Sequence, residues 1–178
     1  MGRSSATHPL VAALGSNLGD RLGHLCFGLR ALAQAGIDLS VRSSVFETPA
    51  IGDTGRPAFL NLVASGSTDL PPATVLSIFK GVEKDAGRTL GPRNAPRPLD
   101  LDILFFHRWI IREDGLRVPH PRWKERTFVV QPLLEVLPDL RDPETGMLVG
   151  DIAERWPMEP AEIRLVLSPK DFEKECEE

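Results

Sequence analysis

Cysteine is scarce in this 178-residue chain, with Cys26 on an expected helix and Cys176 near the end. Their spacing suits neither a disulfide framework nor a metal pair, so both are expected as free, reduced thiols. Long hydrophobic runs are missing: nothing approaches the ~20 apolar residues that cross a membrane, and no apolar segment behind residues 1–9 suits a secretory signal. Met1 and Gly2 open like a myristoylation site, but Ala6 stands where Ser or Thr is required. The expectation is a cytoplasmic protein with no membrane partner. Excess positive charge is lacking as well. With 21 Lys and Arg against 25 Asp and Glu, the net charge of −4 speaks against a general nucleic-acid binder, which must displace phosphate counterions. There is no internal repeat and no low-complexity linker. Neither a Walker loop nor a Gly-x-Gly-x-x-Gly turn occurs, so any nucleotide must be held by another architecture.

What is present suits one globular domain, given a soft prior of roughly 150 residues per domain. Residues 159–178 hold seven acids and three bases, so they carry the whole net charge, and residues 1–158 balance at 18 of each sign. The expected division is a domain over 1–158 and an acidic tail over 159–178 that need not be ordered. Residues 80–126 hold 11 bases against 7 acids, a basic middle suited to a small anionic ligand.

Apolar periodicity predicts the elements. Residues 10–14 form a short apolar run, after which Asp20 caps a helix with Leu22, Leu25, Cys26, Leu29 and Leu32 at helical spacing, ending at Gly36. Residues 39–48 and 59–68 read as strands, Pro71 and Pro72 open a second helix ending at Gly87, and residues 99–106 form another strand. The order βαββαβ is ferredoxin-like, an α+β class with an antiparallel sheet and both helices on one face. A hairpin turning at residues 112–115 and short helices near 132–137 and 149–156 should follow.

Chemistry concentrates in Arg97-Pro98-Leu99-Asp100-Leu101-Asp102-Ile103. Strand residues two apart share a face, so Asp100 and Asp102 converge while Leu99, Leu101 and Ile103 turn to the core. At about 5 Å and an effective dielectric near 20 the two carboxylates repel by roughly 3 kcal/mol, which a hard divalent cation or an arginine relieves. A solvated edge-strand face is the alternative, but the run is too apolar for an edge and is bracketed by arginines. Arg88, Arg93 and Arg97 sit in a loop broken by Gly91, Pro92, Pro96 and Pro98, which suits a phosphate clamp or, alone, a solvated loop.

Six motifs occur in order: Ala13-Leu14-Gly15-Ser16-Asn17-Leu18-Gly19-Asp20, Phe46-Glu47-Thr48-Pro49, Phe59-Leu60-Asn61, Glu83 with Gly87-Arg88, Pro96-Arg97-Pro98-Leu99-Asp100-Leu101-Asp102-Ile103, and Val118-Pro119-His120-Pro121. Together they resemble the 6-hydroxymethyl-7,8-dihydropterin pyrophosphokinases of folate biosynthesis, over about residues 10–156. The resemblance implies transfer of diphosphate from ATP to the pterin hydroxymethyl oxygen, with release of AMP. It implies that Asp100 and Asp102 hold two Mg²⁺ ions and that Arg88 and Arg97 clamp phosphate during catalysis. Lys80, Glu83, Arg97, Ile103, His120 and Arg126 match nucleotide-contacting positions. Phe59 and Phe128 would sandwich the pterin, with Asn17, Thr48, Pro49, Ile51 and Asn61 around its polar edge.

Read without the resemblance, Glu83 is a solvated helix charge, His120 a loop histidine, and Phe59 and Phe128 core residues. Asn61 is conspicuous in an apolar strand, because a buried amide demands partners. The chain also departs from the pattern: Asn94-Ala95 replaces a common Trp-Gly, Gly115 and Arg117 replace an Arg and a Thr, and Pro121 replaces an aromatic. Two other classes fit the residues less well. An RNA-binding module would need aromatics on its central strands, and residues 10–14 carry none. A metal phosphoesterase would need a fuller ligand cage than the Asp pair. The expected partners are therefore ATP and a reduced pterin, bound by a monomer.

Overall fold

The structure, a computed structural model, describes residues 7–49, 55, 57–89, 95–155 and 162–177. Strand β1 (His8–Ser16) runs through the middle of a six-stranded antiparallel sheet. It buries Leu10, Ala12 and Leu14 on one face and Val11 on the other, so it is apolar on both sides, as a central strand must be. The Asp20 carboxylate accepts the Gly23 N–H at 3.0 Å and caps α1 (Arg21–Gln34).

The single strand that the sequence predicts over residues 39–48 is two strands, β2 (Asp38–Arg42) and β3 (Val45–Thr48). Ser43 and Ser44 break it by taking side-chain partners. Ser43 Oγ accepts the Val63 N–H at 3.0 Å, and the Ser44 N–H donates to Glu135 at 2.8 Å. Then follow β4 (Phe59–Thr68), α2 (Pro72–Asp85) and β5 (Asp100–Phe106), close to their predicted spans. A hairpin of β6 (Ile111–Glu113) and β7 (Leu116–Val118) turns on Asp114 and Gly115, with Arg112 and Glu113 in β6 rather than in the turn. A 3-10 turn (Trp123–Glu125), α3 (Thr127–Val136) and α4 (Val149–Arg155) follow.

The sheet order β5-β1-β4-β3, with β2 also on β4, is the ferredoxin-like arrangement. Helices α1 and α2 cover one face, with Leu25, Leu32, Val75 and Phe79 buried. The other face is not open: α3, α4 and Trp123 pack on it through Val129, Leu133 and Ile152. Burial on both faces accounts for the nearly continuous apolar run in β5.

That run does not make β5 an interior strand, contrary to the sequence reading. It ends the sheet, and the hairpin covers it: Leu116 and Val118 join the core, and the His120 N–H donates to Leu104 O at 2.9 Å. Opposite β1, Ala12 pairs with Ile103 and Val11 with Phe105, so Leu104 is the extra residue of a bulge. Leu104 and Phe105 both enter the α3-side core, which closes the end of the face where Asp100 and Asp102 stand.

The acidic end folds back on the body. Strand β8 (Arg164–Leu167) extends the sheet beyond β3, and α5 (Pro169–Glu177) lies against α1 with Phe172 fully buried. This docking brings the Cα atoms of Cys26 and Cys176 to 5.2 Å, and the two form a disulfide. The expected free thiols are thus corrected. With the partners 150 positions apart, sequence spacing carries no trace of the contact, and closing so long a loop removes about 5 kcal/mol of unfolded-state entropy.

Candidate active site

A cleft of about 410 Å³ opens on the sheet between the C-terminal end of β1, strands β3 and β4, the start of β5 and the start of α3. A second recess, about 340 Å³, lies between β5, α2 and the hairpin. Lys80, Asp102 and His120 line both, so the two spaces meet at the acidic face of β5.

Side-chain alternation places Asp100 and Asp102 on that face. Arg88 Nη1 reaches Asp100 Oδ1 at 2.7 Å and Arg97 Nη1 reaches the same oxygen at 3.0 Å. Burial alone would raise the Asp100 pKa, but the charges of Arg97 and Arg88 and their hydrogen bonds outweigh it and hold the carboxyl below its usual range. Asp102 Oδ2 faces Arg126 Nη1 at 3.4 Å and His120 Nε2 at 3.8 Å. These pairs engage one oxygen of each carboxylate. Two hard, partly exposed carboxylates that belong to no cluster of three or more His, Cys, Asp or Glu able to hold a metal among the described residues suit a Mg²⁺ ion that fills its shell with water and phosphate.

His120 is held neutral-leaning. Burial lowers its pKa most, Asp102 opposes, and Arg126 and Arg122 add to the lowering. The Arg122 N–H donates to Nδ1 at 3.2 Å, so the neutral ring carries its proton on Nε2, toward Asp102.

Glu83 lies beneath the site rather than on its wall. It is 2% exposed, accepts the Leu101 N–H at 2.8 Å, and pairs with Lys80 at 2.9 Å and Arg88 at 2.6 Å. One carboxylate thus braces the peptide between the two aspartates and aims two cations. Arg126 has a further feature: its Nε is buried without a hydrogen-bond partner among the described residues, while its guanidinium lies 5.6 Å from the centre of the Phe128 ring. An unsatisfied buried donor of this kind is stabilised by an incoming anion or carbonyl.

The opposite wall is built differently. Asn61 is 6% exposed and donates to Thr48 Oγ1 at 2.9 Å; a Cβ at Gly15 would stand 3.1 Å from Asn61 Oδ1, so glycine there leaves room for the amide. Phe59, Phe128 and Pro49 line the same cleft. Asn17 is buried and accepts the Arg97 N–H at 2.8 Å while donating to Pro57 O at 3.3 Å, tying the β1–α1 turn to both flanking loops. Ile103 lines the smaller recess with Leu101 and Leu116. Ile51 and Arg93 lie outside the described residues. Sequence reasoning missed the space-making role of Gly15, although the residue sits in the quoted Gly-Ser-Asn motif. It also missed the ion pair of Glu47 with Arg21 at 2.8 Å, for which no local pattern speaks.

The family model described as 7,8-dihydro-6-hydroxymethylpterin-pyrophosphokinase matches residues 11–138. The chain is 42% identical over 125 residues to the 2-amino-4-hydroxy-6-hydroxymethyldihydropteridine pyrophosphokinase of Bacillus subtilis, covering 70% of this chain and 75% of that protein. It is 43% identical over 141 residues to the mitochondrial folate synthesis bifunctional protein of Arabidopsis thaliana, covering 79% of this chain; it spans about a quarter of that relative's length, 26%. Plasmodium falciparum HPPK-DHPS, solved with pteroate, superimposes with a TM-score of 0.68 at 13% identity, over 84% of this chain and 44% of that one, which supports the fold. Matched across the whole of the two-cleft body by sequence, the chain belongs to the 7,8-dihydro-6-hydroxymethylpterin-pyrophosphokinase family.

Proposed function

We propose that the chain transfers diphosphate from MgATP to the hydroxymethyl group of 6-hydroxymethyl-7,8-dihydropterin. The observation that carries this reading is the position of Asp100 and Asp102, side by side where the two clefts meet and ringed by Arg88, Arg97, Arg126 and Lys80. The larger cleft takes the pterin, with Phe59 and Phe128 against its ring and Asn17, Thr48, Pro49 and Asn61 at its polar edge. A site that answers a heterocycle's hydrogen bonds rejects analogues that leave the amide unpaired. The smaller recess takes the nucleoside, with Ile103 on its floor and His120 at its mouth.

Asp100 and Asp102 would hold two Mg²⁺ ions, which when bound neutralise the triphosphate charge. The chain's own part is positioning. Arg88 and Arg97 change partner from Asp100 to phosphate oxygens as ATP arrives, the Arg126 Nε–H gains an acceptor there, and Glu83 keeps Lys80 and Arg88 aimed into the junction. The pterin hydroxymethyl oxygen attacks the β-phosphorus, the bond from that phosphorus to the α–β bridging oxygen breaks, AMP departs, and the hydroxyl proton is lost to water. Incubation with MgATP and the reduced pterin should yield AMP and the pterin diphosphate in equal amounts. ADP as the nucleotide product overturns the reading.

A further inference from the structure

Residues 164–177 lie beyond the span matched to the family, residues 11–138, yet they touch the framework of the larger cleft. Strand β3 is held on both edges. On one, Phe46 pairs with Asn61 and Thr48 with Phe59 of β4; on the other, Phe46 pairs with Leu165 and Glu47 with Arg164 of β8. A chain of polar contacts runs parallel to this ladder. Arg164 binds Glu47, Glu47 binds Arg21 at 2.8 Å, and Arg21 Nη1 donates at 2.7 Å to Ala58 O, the carbonyl just before Phe59. Strands β3 and β4, which carry Thr48, Phe59 and Asn61, are therefore tied to β8.

What ties β8 down is α5. The strand itself is poorly buried, with Leu165 57% exposed. Helix α5 supplies Phe172, fully buried, the bond from Arg30 to Cys176 O at 2.9 Å, and the disulfide to Cys26. Cys26 is 3% exposed, whereas Cys176 is partly open to solvent. Cys176 is therefore the more accessible partner for a dithiol.

We infer that β8 and α5 form a redox-latched positioning element: the Cys26–Cys176 disulfide keeps β8 on β3 and so keeps Thr48, Phe59 and Asn61 in their pterin-binding arrangement, and its reduction weakens pterin binding while sparing the phosphate half. The inference rests on the pterin reading of the larger cleft. In the reductive step a thiolate of a dithiol attacks Cys176 Sγ, and the Cys26 sulfur leaves and takes up a proton. The reductant's second sulfur then displaces Cys176, which is protonated in turn. Two electrons pass to the protein disulfide, and the reductant becomes a cyclic disulfide.

The test compares air-oxidised full-length enzyme with the same enzyme treated with dithiothreitol, the thiol count being read by mass spectrometry. Pterin affinity is followed by the ligand's own fluorescence, and both KM values and kcat by AMP release. On reduction, pterin Kd and KM should rise by about fivefold or more, the range of ordinary site-to-site coupling, with kcat and the MgATP KM moving less than about twofold. The Cys26→Ser/Cys176→Ser double variant should show the weak pterin affinity in both conditions, and Arg164→Ala should weaken pterin binding with the disulfide intact. Reciprocity adds a readout that a merely structural brace would not move: saturating pterin should shift the disulfide's equilibrium with dithiothreitol by the same factor. Unchanged pterin affinity on reduction, or two free thiols in the air-oxidised chain, overturns the latch. Equal AMP release by the two states at pterin concentrations below KM sinks the latch alone; no AMP release in either state sinks the pyrophosphokinase reading beneath it.

Discussion

The two halves of the cleft solve the problem of polar groups in opposite ways. On the β5 side, Asp100, Asp102, Glu83, Arg88, Arg97, Arg126 and Lys80 form a net of opposed charges, several of them shared between two partners. On the β3–β4 side, Asn61 and Thr48 satisfy one another at 2.9 Å among Phe59, Phe128 and Pro49, with no charge between them. A charge net can exchange partners when an anion enters, because each arginine loses one carboxylate as it gains a phosphate. A neutral pair in an aromatic slot has a fixed donor and acceptor pattern. The first arrangement suits binding that must change during a reaction, and the second suits recognition that must not.

The strongest way to break this comparison is to remove the acidic centre. Asp100→Ala and Asp102→Ala should each lower AMP formation by on the order of 10³-fold, the scale of losing a preorganised electrostatic group. Pterin affinity, read by fluorescence titration, should change little. A matching loss of pterin binding would show that the halves are not separate. Glu83→Ala comes next, because it leaves the Leu101 N–H, Lys80 and Arg88 without their shared partner. Breaking a buried pair in this way should cost about 3–5 kcal/mol, seen as a lower midpoint in urea unfolding.

On the opposite wall, Asn61→Ala should raise the pterin KM by roughly 10–100-fold, equal to about 1.4–2.7 kcal/mol, and leave the MgATP KM near its starting value. The variant also leaves Thr48 Oγ1 without its donor, so a small fall in melting temperature is expected with it. A parallel rise in both KM values would place Asn61 in a shared structural role instead.

Much of this was legible in the residues. Period-two alternation put Asp100 and Asp102 on one face, and helical spacing located α1 and α2, because those signals are local. The function of Glu83 was not legible in the same way: on a helical pattern it is one more charge, and its burial follows from β5 packing over it. The bulge at Leu104, the break at Ser43 and Ser44, and the covered edge of β5 arise from contacts between distant segments. The Cys26–Cys176 bond is the extreme case, since nothing within 150 residues announces it.

The smallest expected effect separates the halves by pH. His120 has its pKa depressed from about 6.5, first by burial and then by Arg126 and Arg122 against the pull of Asp102, so in the folded chain it binds a proton less readily than when unfolded. Stability should therefore be complete above the unfolded value near 6.5 and decline as pH falls below it toward the folded value. Asp100 is depressed too: burial opposes, but Arg97 and Arg88 prevail, so its contribution holds above the unfolded value of about 3.8 and is lost at lower pH. In Mg²⁺-free buffer the melting temperature of His120→Asn should approach or pass that of the wild type as pH drops from 7 to 5, by about a degree or two. The gap between Asn61→Ala and wild type should stay constant over the same interval, because Asn61, Thr48 and Phe59 carry no titrating group. A pH-dependent gap at Asn61 would mean that the charge net reaches across the cleft, and the neutral wall would then be part of the electrostatic machinery.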